Sequence, residues 1–197
     1  MLLYNSQPSG NCYKARLLLS QLGIPFERVE VDTRSRHGRE ELLGGKNPVL
    51  RVPVLELDDG RHVAESNAIL WYLAEGTALV PEDRFDRAKT LQWMFFEQYS
   101  HEPYIAVIRH RTLLGDLDGY PDTAQRREQG YAALDAMEKH LEGHKFFVGD
   151  HYTIADIALY AYTHAANEGG FDLSRYAPIR GWLDRVATQP GHVTIDA

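Results

Sequence analysis

The N-terminal part of the chain alternates between two hydrophobic rhythms. Met1–Tyr4 (MLLY) is a short apolar run that reads as a strand. Ala15, Leu18, Leu19 and Leu22 then recur at helical spacing, stopped by Gly23 with Pro25 just beyond. Phe26–Val31 (FERVEV) reads as a strand, and a weak helical pattern covers Arg39–Leu43. The run VPVLEL, the turn Asp58-Asp59-Gly60 and the run RHVA spell a hairpin. Ser66 is placed to cap a helix through Asn67, Ile69, Leu70, Leu73 and Ala74. The predicted order is βαβαββα, and its opening strand, helix, strand implies a right-handed parallel unit.

After Gly76 the rhythm becomes helical throughout. TALVPEDRF reads as a linker with one proline and no strong period. Helices are predicted from Phe85 to Leu114, with Pro103 bending the stretch, and over Ala124–Leu141, Thr153–Ala166 and Ile179–Ala187. The expected organisation is an α/β domain over 1–77, a linker over 78–85 and an all-α domain over 86–197. Thr153-Ile-Ala-Asp156 is a capping box, a structural signature. In the long helix, Leu91, Trp93, Met94, Phe95, Phe96, Tyr99, Tyr104 and Ile105 cover most of the circumference. A helix apolar nearly all round must be enclosed on several sides, and a two-fold homodimer would supply the missing cover.

Composition narrows the partners. A chain of 197 residues with 44% hydrophobic and 25% charged residues matches an ordinary globular protein. The net charge of −7, with no basic block, argues against nucleic acid or an anionic membrane surface. No apolar run approaches the roughly 18 residues of a membrane helix, and no signal-peptide pattern opens the chain. A single cysteine precludes an internal disulfide, so the expected location is the cytoplasm. His140 and His144 share an i, i+4 spacing but lack a third ligand, so no metal is expected.

Candidate chemistry gathers in the α/β part. Pro53 opens a strand without a ladder donor; one explanation is a cis bond after Val52, which would free the Val52 backbone for an extended ligand, and the other is an edge strand. Glu65-Ser66 stands at a helix N-terminus, suited either to plain capping or to an α-amino acid head group, with the carboxylate on the helix end and the amine on Glu65. The stretch PSGNCYK also ends at a helix N-terminus, where a thiolate would be stabilised. Either Cys12 is the protein's own nucleophile, or Ser9 and Asn11 serve a thiol brought by a ligand. With no second cysteine to resolve a mixed disulfide, the ligand's thiol is preferred.

The βαβαββα order followed by helices, with SGNCYKARLLL, NPVLRVPVLELDDG, ESNAILWYLAE and YTIADIALYAY in succession, resembles the cytosolic glutathione transferases, and most closely bacterial members with Ser or Thr in the first loop. The resemblance implies a thioredoxin-like first domain, a cis Val52-Pro53 bond and an all-helical second domain. It implies glutathione as co-substrate, with Ser9 stabilising its thiolate and Asn11 beside it. Val52 would clamp the cysteinyl part, Glu65 and Ser66 the γ-glutamyl end, and Arg51 with His37 the glycyl carboxylate. Tyr99, His101, Tyr104 and Ile108 would face an apolar electrophile. Leu50 stands where the usual segment NPxGxVP has glycine. The expected activity is conjugation of glutathione to apolar electrophiles; a glutathione-dependent disulfide or peroxide reductase, or a non-catalytic binding protein of the same fold, are the alternatives.

Overall fold

The computed structural model describes residues 1–197. Two compact units divide the chain: Met1–Gly76 together with Gln189–Ala197, and Thr77–Thr188. The segment Gln189–Ala197, expected in the helical part, therefore belongs to the α/β unit.

That unit runs β1 (Leu2–Asn5), α1 (Gly10–Gln21), β2 (Glu27–Glu30), α2 (Arg36–Leu43), β3 (Val54–Glu56), β4 (His62–Ala64) and α3 (Ser66–Ala74), the order the hydrophobic pattern predicts. The sheet order is β2-β1-β3-β4; β1 is parallel to β2 and antiparallel to β3, which pairs antiparallel with β4. Successive strand residues point to opposite faces, so β1 and β3 each feed two cores. Leu3 and Leu55 join Ala15 and Leu19 of α1 and Ile69 of α3 on one side. Tyr4 and Val54 join Val31 and Leu43 on the other. Each leucine, valine or isoleucine among them contributes roughly 1.5–3 kcal/mol when fully buried.

The helical unit holds α4 (Arg84–Phe96), a π-helical turn at Glu97–His101, α5 (Glu102–Leu114), α6 (Thr123–Leu141), α7 (Ile154–Thr163), a 3₁₀ turn at Ala166–Gly169 and α8 (Ala177–Ala187). The bend expected at Pro103 takes the form of the π turn just before it. Proline has no N–H for the carbonyl four residues back, so the ladder resets there by widening. Every residue of α7 is buried, and its capping box Thr153/Asp156 is formed. Trp93, Met94 and Ile105 pack inward, while Leu91, Phe95 and Tyr99, four residues apart, stand exposed. No helix is long and apolar enough to cross a membrane.

Candidate active site

The first loop ends in a cap. Ser9 is the N-cap of α1, with extended backbone, and its Oγ accepts from the Cys12 N–H at 3.3 Å. A serine hydroxyl has one hydrogen besides its two acceptor sites. Accepting from Cys12 fixes the oxygen of a half-exposed side chain, whose hydroxyl also hydrogen-bonds the Cys12 thiol. Cys12 itself points inward. Its side chain is fully buried, the Ser6 N–H donates to Sγ at 3.3 Å, and burial pushes the thiol up to about 11. A thiol in that state is neutral at physiological pH and inaccessible, the opposite of what a nucleophilic cysteine needs.

Two tyrosines could rival Ser9, and both hydroxyls are engaged elsewhere. Tyr4 Oη donates to Glu56 Oε2 at 2.8 Å, and Tyr13 Oη donates to the Val193 carbonyl at 2.7 Å.

The start of α3 lies against the start of α1. The Ser66 hydroxyl donates to Asn11 Oδ1 at 3.1 Å, and Lys14 Nζ donates to Ser66 Oγ at 3.4 Å and Asn67 Oδ1 at 3.5 Å. Ser66 is therefore the first residue of its helix rather than the predicted cap. The cap position falls to Glu65, whose side chain makes no capping bond. Its φ of 68° is a left-handed conformation, uncommon for glutamate, and strain of this kind costs on the order of 1–3 kcal/mol unless the surroundings impose it. The carboxylate is left exposed, beside the start of α3, where the helix dipole favours an anion. Lys14 is fully buried under both helix starts; the sequence reading gave it no role. Its signal was present, since a cation on a helix buried nearly all round needs polar partners.

The Val52-Pro53 peptide bond is cis. Pro53 is buried and Val52 half-buried, and the Arg51 carbonyl accepts from Asn47 Nδ2 at 2.9 Å, leaving the Arg51 side chain exposed. Leu50 has φ 54°, which explains why glycine suits its place. His37 is exposed in the first turn of α2. The structure thus brings Ser9, Asn11 and Ser66 to the two adjoining helix starts. No hydrogen bond draws His37 to them.

Two stretches, residues 8–75 and 104–185, match the glutathione S-transferase N-terminal and C-terminal domains. A solved glutathione S-transferase from Pseudomonas fluorescens Pf-5 is 49% identical over 98% of each chain, with a TM-score of 0.95. The chain is a member of the glutathione S-transferase family. Glutathione S-transferase 3 of Zea mays is 30% identical, covering 95% of this chain and 89% of its own. The disulfide-bond oxidoreductase YfcG of Escherichia coli is 28% identical, covering 93% of this chain and 88% of its own. The family uses glutathione, and its fold of a thioredoxin-like domain followed by helices is the fold seen here.

Within this glutathione S-transferase fold the four residues expected at an electrophile pocket fare differently. His101 is fully buried, its Nε2 2.9 Å from Thr163 Oγ1, and Ile108 is fully buried as well. Packing claims both. Tyr99 is 83% exposed on the π turn. Tyr104 is half-buried at a cleft of about 520 Å³ that Pro103, Asp122, Gln125, Arg126 and Gln129 also line.

Proposed function

We propose that this member conjugates glutathione to apolar electrophiles, with the Ser9 hydroxyl holding the thiolate. The observation that carries the reading is the state of the first loop: a half-exposed Ser9 hydroxyl held at the start of α1 by the Cys12 N–H, a buried neutral Cys12 thiol, and both nearby tyrosine hydroxyls engaged. In this reading the N–H groups at the start of α3, with Ser66, take the γ-glutamyl carboxylate, and the exposed Glu65 carboxylate takes its ammonium. The Val52 backbone pairs with the cysteinyl unit, while Arg51 and His37 serve the glycyl carboxylate. Ser9 and the α1 N-terminus lower the thiol pKa, and the proton leaves to solvent. The thiolate then attacks the electrophilic carbon, a C–S bond forms, and the leaving group departs with its bonding pair. Tyr99 and Tyr104 offer aromatic surface to the electrophile. A cytoplasmic location suits a chain whose one cysteine is a buried thiol.

The test is retention on immobilised glutathione followed by turnover with an aryl halide. Binding without turnover would leave a non-catalytic glutathione-binding protein. One relative favours a second reading, since YfcG is a disulfide-bond oxidoreductase. That reading predicts faster reduction of a glutathione mixed disulfide than conjugation of the aryl halide, so the two rates on one preparation separate them.

Glu65 acts far from sulfur, so its contribution should fall on affinity. Glu65→Ala is expected to raise the KM for glutathione about tenfold or more, with kcat changed far less. An unchanged KM would reduce this helix start to a structural feature.

The exposed Leu91 and Phe95, one turn apart on α4, support a two-fold homodimer built on that helix. We expect a species of twice the chain mass in sedimentation equilibrium at micromolar concentration, with an interface on the order of 2,000 Å² or more. Phe95→Arg should shift it to monomer. A wild-type monomer with full activity would overturn the assignment.

A further inference from the structure

The segment Gln189–Ala197 has no regular secondary structure, yet it is bound closely to the α/β unit by its backbone carbonyls. Ser20 Oγ donates to the Gly191 carbonyl at 2.8 Å, Tyr13 Oη to that of Val193 at 2.7 Å, and Arg28 Nη1 to that of Ala197 at 2.9 Å. Gln7 Nε2 donates to the carbonyls of Ile195 and Ala197 at 2.9 and 3.2 Å. The side chain of Ile195 is 9% exposed, so the segment is seated and not merely tethered.

At the centre is Arg16, on α1 and 2% exposed. Its Nη2 donates to the Gln7 carbonyl at 3.1 Å and to the Ile195 carbonyl at 2.7 Å, while Nη1 donates to Asn5 Oδ1 at 2.6 Å. Asn5 in turn donates to Glu30, which carries a balancing charge. One guanidinium thus joins the end of β1, the loop ahead of Ser9 and the 189–197 segment. That loop is short: the Ser9 N–H already reaches back to the Ser6 carbonyl at 3.0 Å. A displacement at Gln7 therefore reaches the Ser9 cap within two residues. A buried arginine is costly unless its donors are satisfied, and without Ile195 the guanidinium loses an acceptor and the loop loses its outer wall.

We propose that Arg16 is a positioning residue for Ser9, and that the 189–197 segment is the strap through which it holds the first loop. This rests on the role given to Ser9 under the proposed function, while the hold on the loop stands apart from it. Positioning matters because errors of about 1 Å in a reacting geometry can cost on the order of 100-fold in rate.

Two alterations spare every loop residue. One removes Val193–Ala197. The other is Gly191→Ala, whose new Cβ would lie 2.8 Å from Gln21 Cα and 2.9 Å from the Ser20 carbonyl oxygen, at a φ of +71°. Those neighbours are backbone, so the segment must shift. Two readouts are taken on each protein: amide hydrogen exchange over residues 6–13, and kcat and KM for glutathione with an aryl halide. Exchange in the loop should quicken about tenfold or more in both variants, and kcat should fall about tenfold with the KM within about twofold, since the residues that bind the rest of glutathione are untouched. Arg16→Lys, which keeps the charge but loses the planar fork, should repeat this pattern. Loop protection and kcat at wild-type levels in the shortened chain would overturn the proposal. A wild-type protein that neither binds nor turns over glutathione would sink the proposed function instead, and the exchange data would still decide whether the strap holds the loop.

Discussion

Asp156→Ala is expected to destabilise the helical unit by about 4 kcal/mol or more, enough to remove most of the stability of a domain of this size. The carboxylate is fully buried and accepts from every side. Oδ1 takes the Phe147 N–H at 3.1 Å and the Trp182 Nε1–H at 2.9 Å, while Oδ2 takes the Thr153 N–H at 2.9 Å and the Thr153 hydroxyl at 3.2 Å. Burial pushes the acid up to about 6, while four donors and no acceptor meet its oxygens, which favours the ionised form and makes each bond charge-assisted. Alanine removes the acceptor and strands three buried N–H groups. Each costs about 1–3 kcal/mol unmade, and the Thr153 N–H among them is the bond that closes the capping box. The three donors lie on the start of α7, on the segment before it and on α8, so one substitution loosens all of them together. Asp156→Asn keeps one oxygen and should cost roughly half as much. Urea unfolding followed by tryptophan fluorescence measures both, since fully buried Trp182 reports on this site. An alanine variant within about 1 kcal/mol of wild type would show that the four bonds carry no net stability.

Much of this architecture was legible because the hydrophobic periods are clean. MLLY, the Ala15–Leu19 stripe and VPVLEL fix β1, α1 and β3, and alternation in the strands assigns Leu3 and Tyr4 to opposite cores. The capping box of α7 was readable from Thr153 and Asp156 alone, because its two partners lie within one turn. What escaped the sequence depends on backbone. The left-handed conformations of Leu50 and Glu65 occur in residues that seldom adopt them, so side-chain identity gave no cue. The placement of Ser66 followed from Glu65: once the chain turns at Glu65, the serine enters the helix and its hydroxyl is free to meet Asn11.

The strap over 189–197 was invisible for a related reason. It is held through its own carbonyls, which every residue possesses, and no period or motif distinguishes residues bound that way. The clue lay instead in α1, whose cations Lys14 and Arg16 sit among Cys12, Tyr13, Ala15 and Leu17–Leu19 with no polar face to turn to. Both are buried, and each donates hydrogen bonds to a neighbouring segment.

Ser9→Ala should lower turnover about 10- to 100-fold at neutral pH, while Cys12→Ala leaves it nearly unchanged. A hydrogen bond donated to a charged group contributes about 1.5–3 kcal/mol, and each ~1.4 kcal/mol is a factor of ten in rate. The hydroxyl of Ser9 also caps α1, so the alanine loses about 1 kcal/mol of helix stability as well. Ser9→Gly separates the two effects, because glycine costs an N-cap only about a few tenths of a kcal/mol yet has no hydroxyl to donate, and should lose turnover as the alanine does. Ser9→Thr, which keeps both the cap and the donor, should retain most activity. Cys12 contributes packing. Its thiol, held near 11 by burial, should resist a thiol-specific reagent in the folded protein and react only on denaturation. If Cys12→Ala abolished activity and Ser9→Ala did not, the nucleophile would be the protein's own sulfur and the role given to Ser9 would fall.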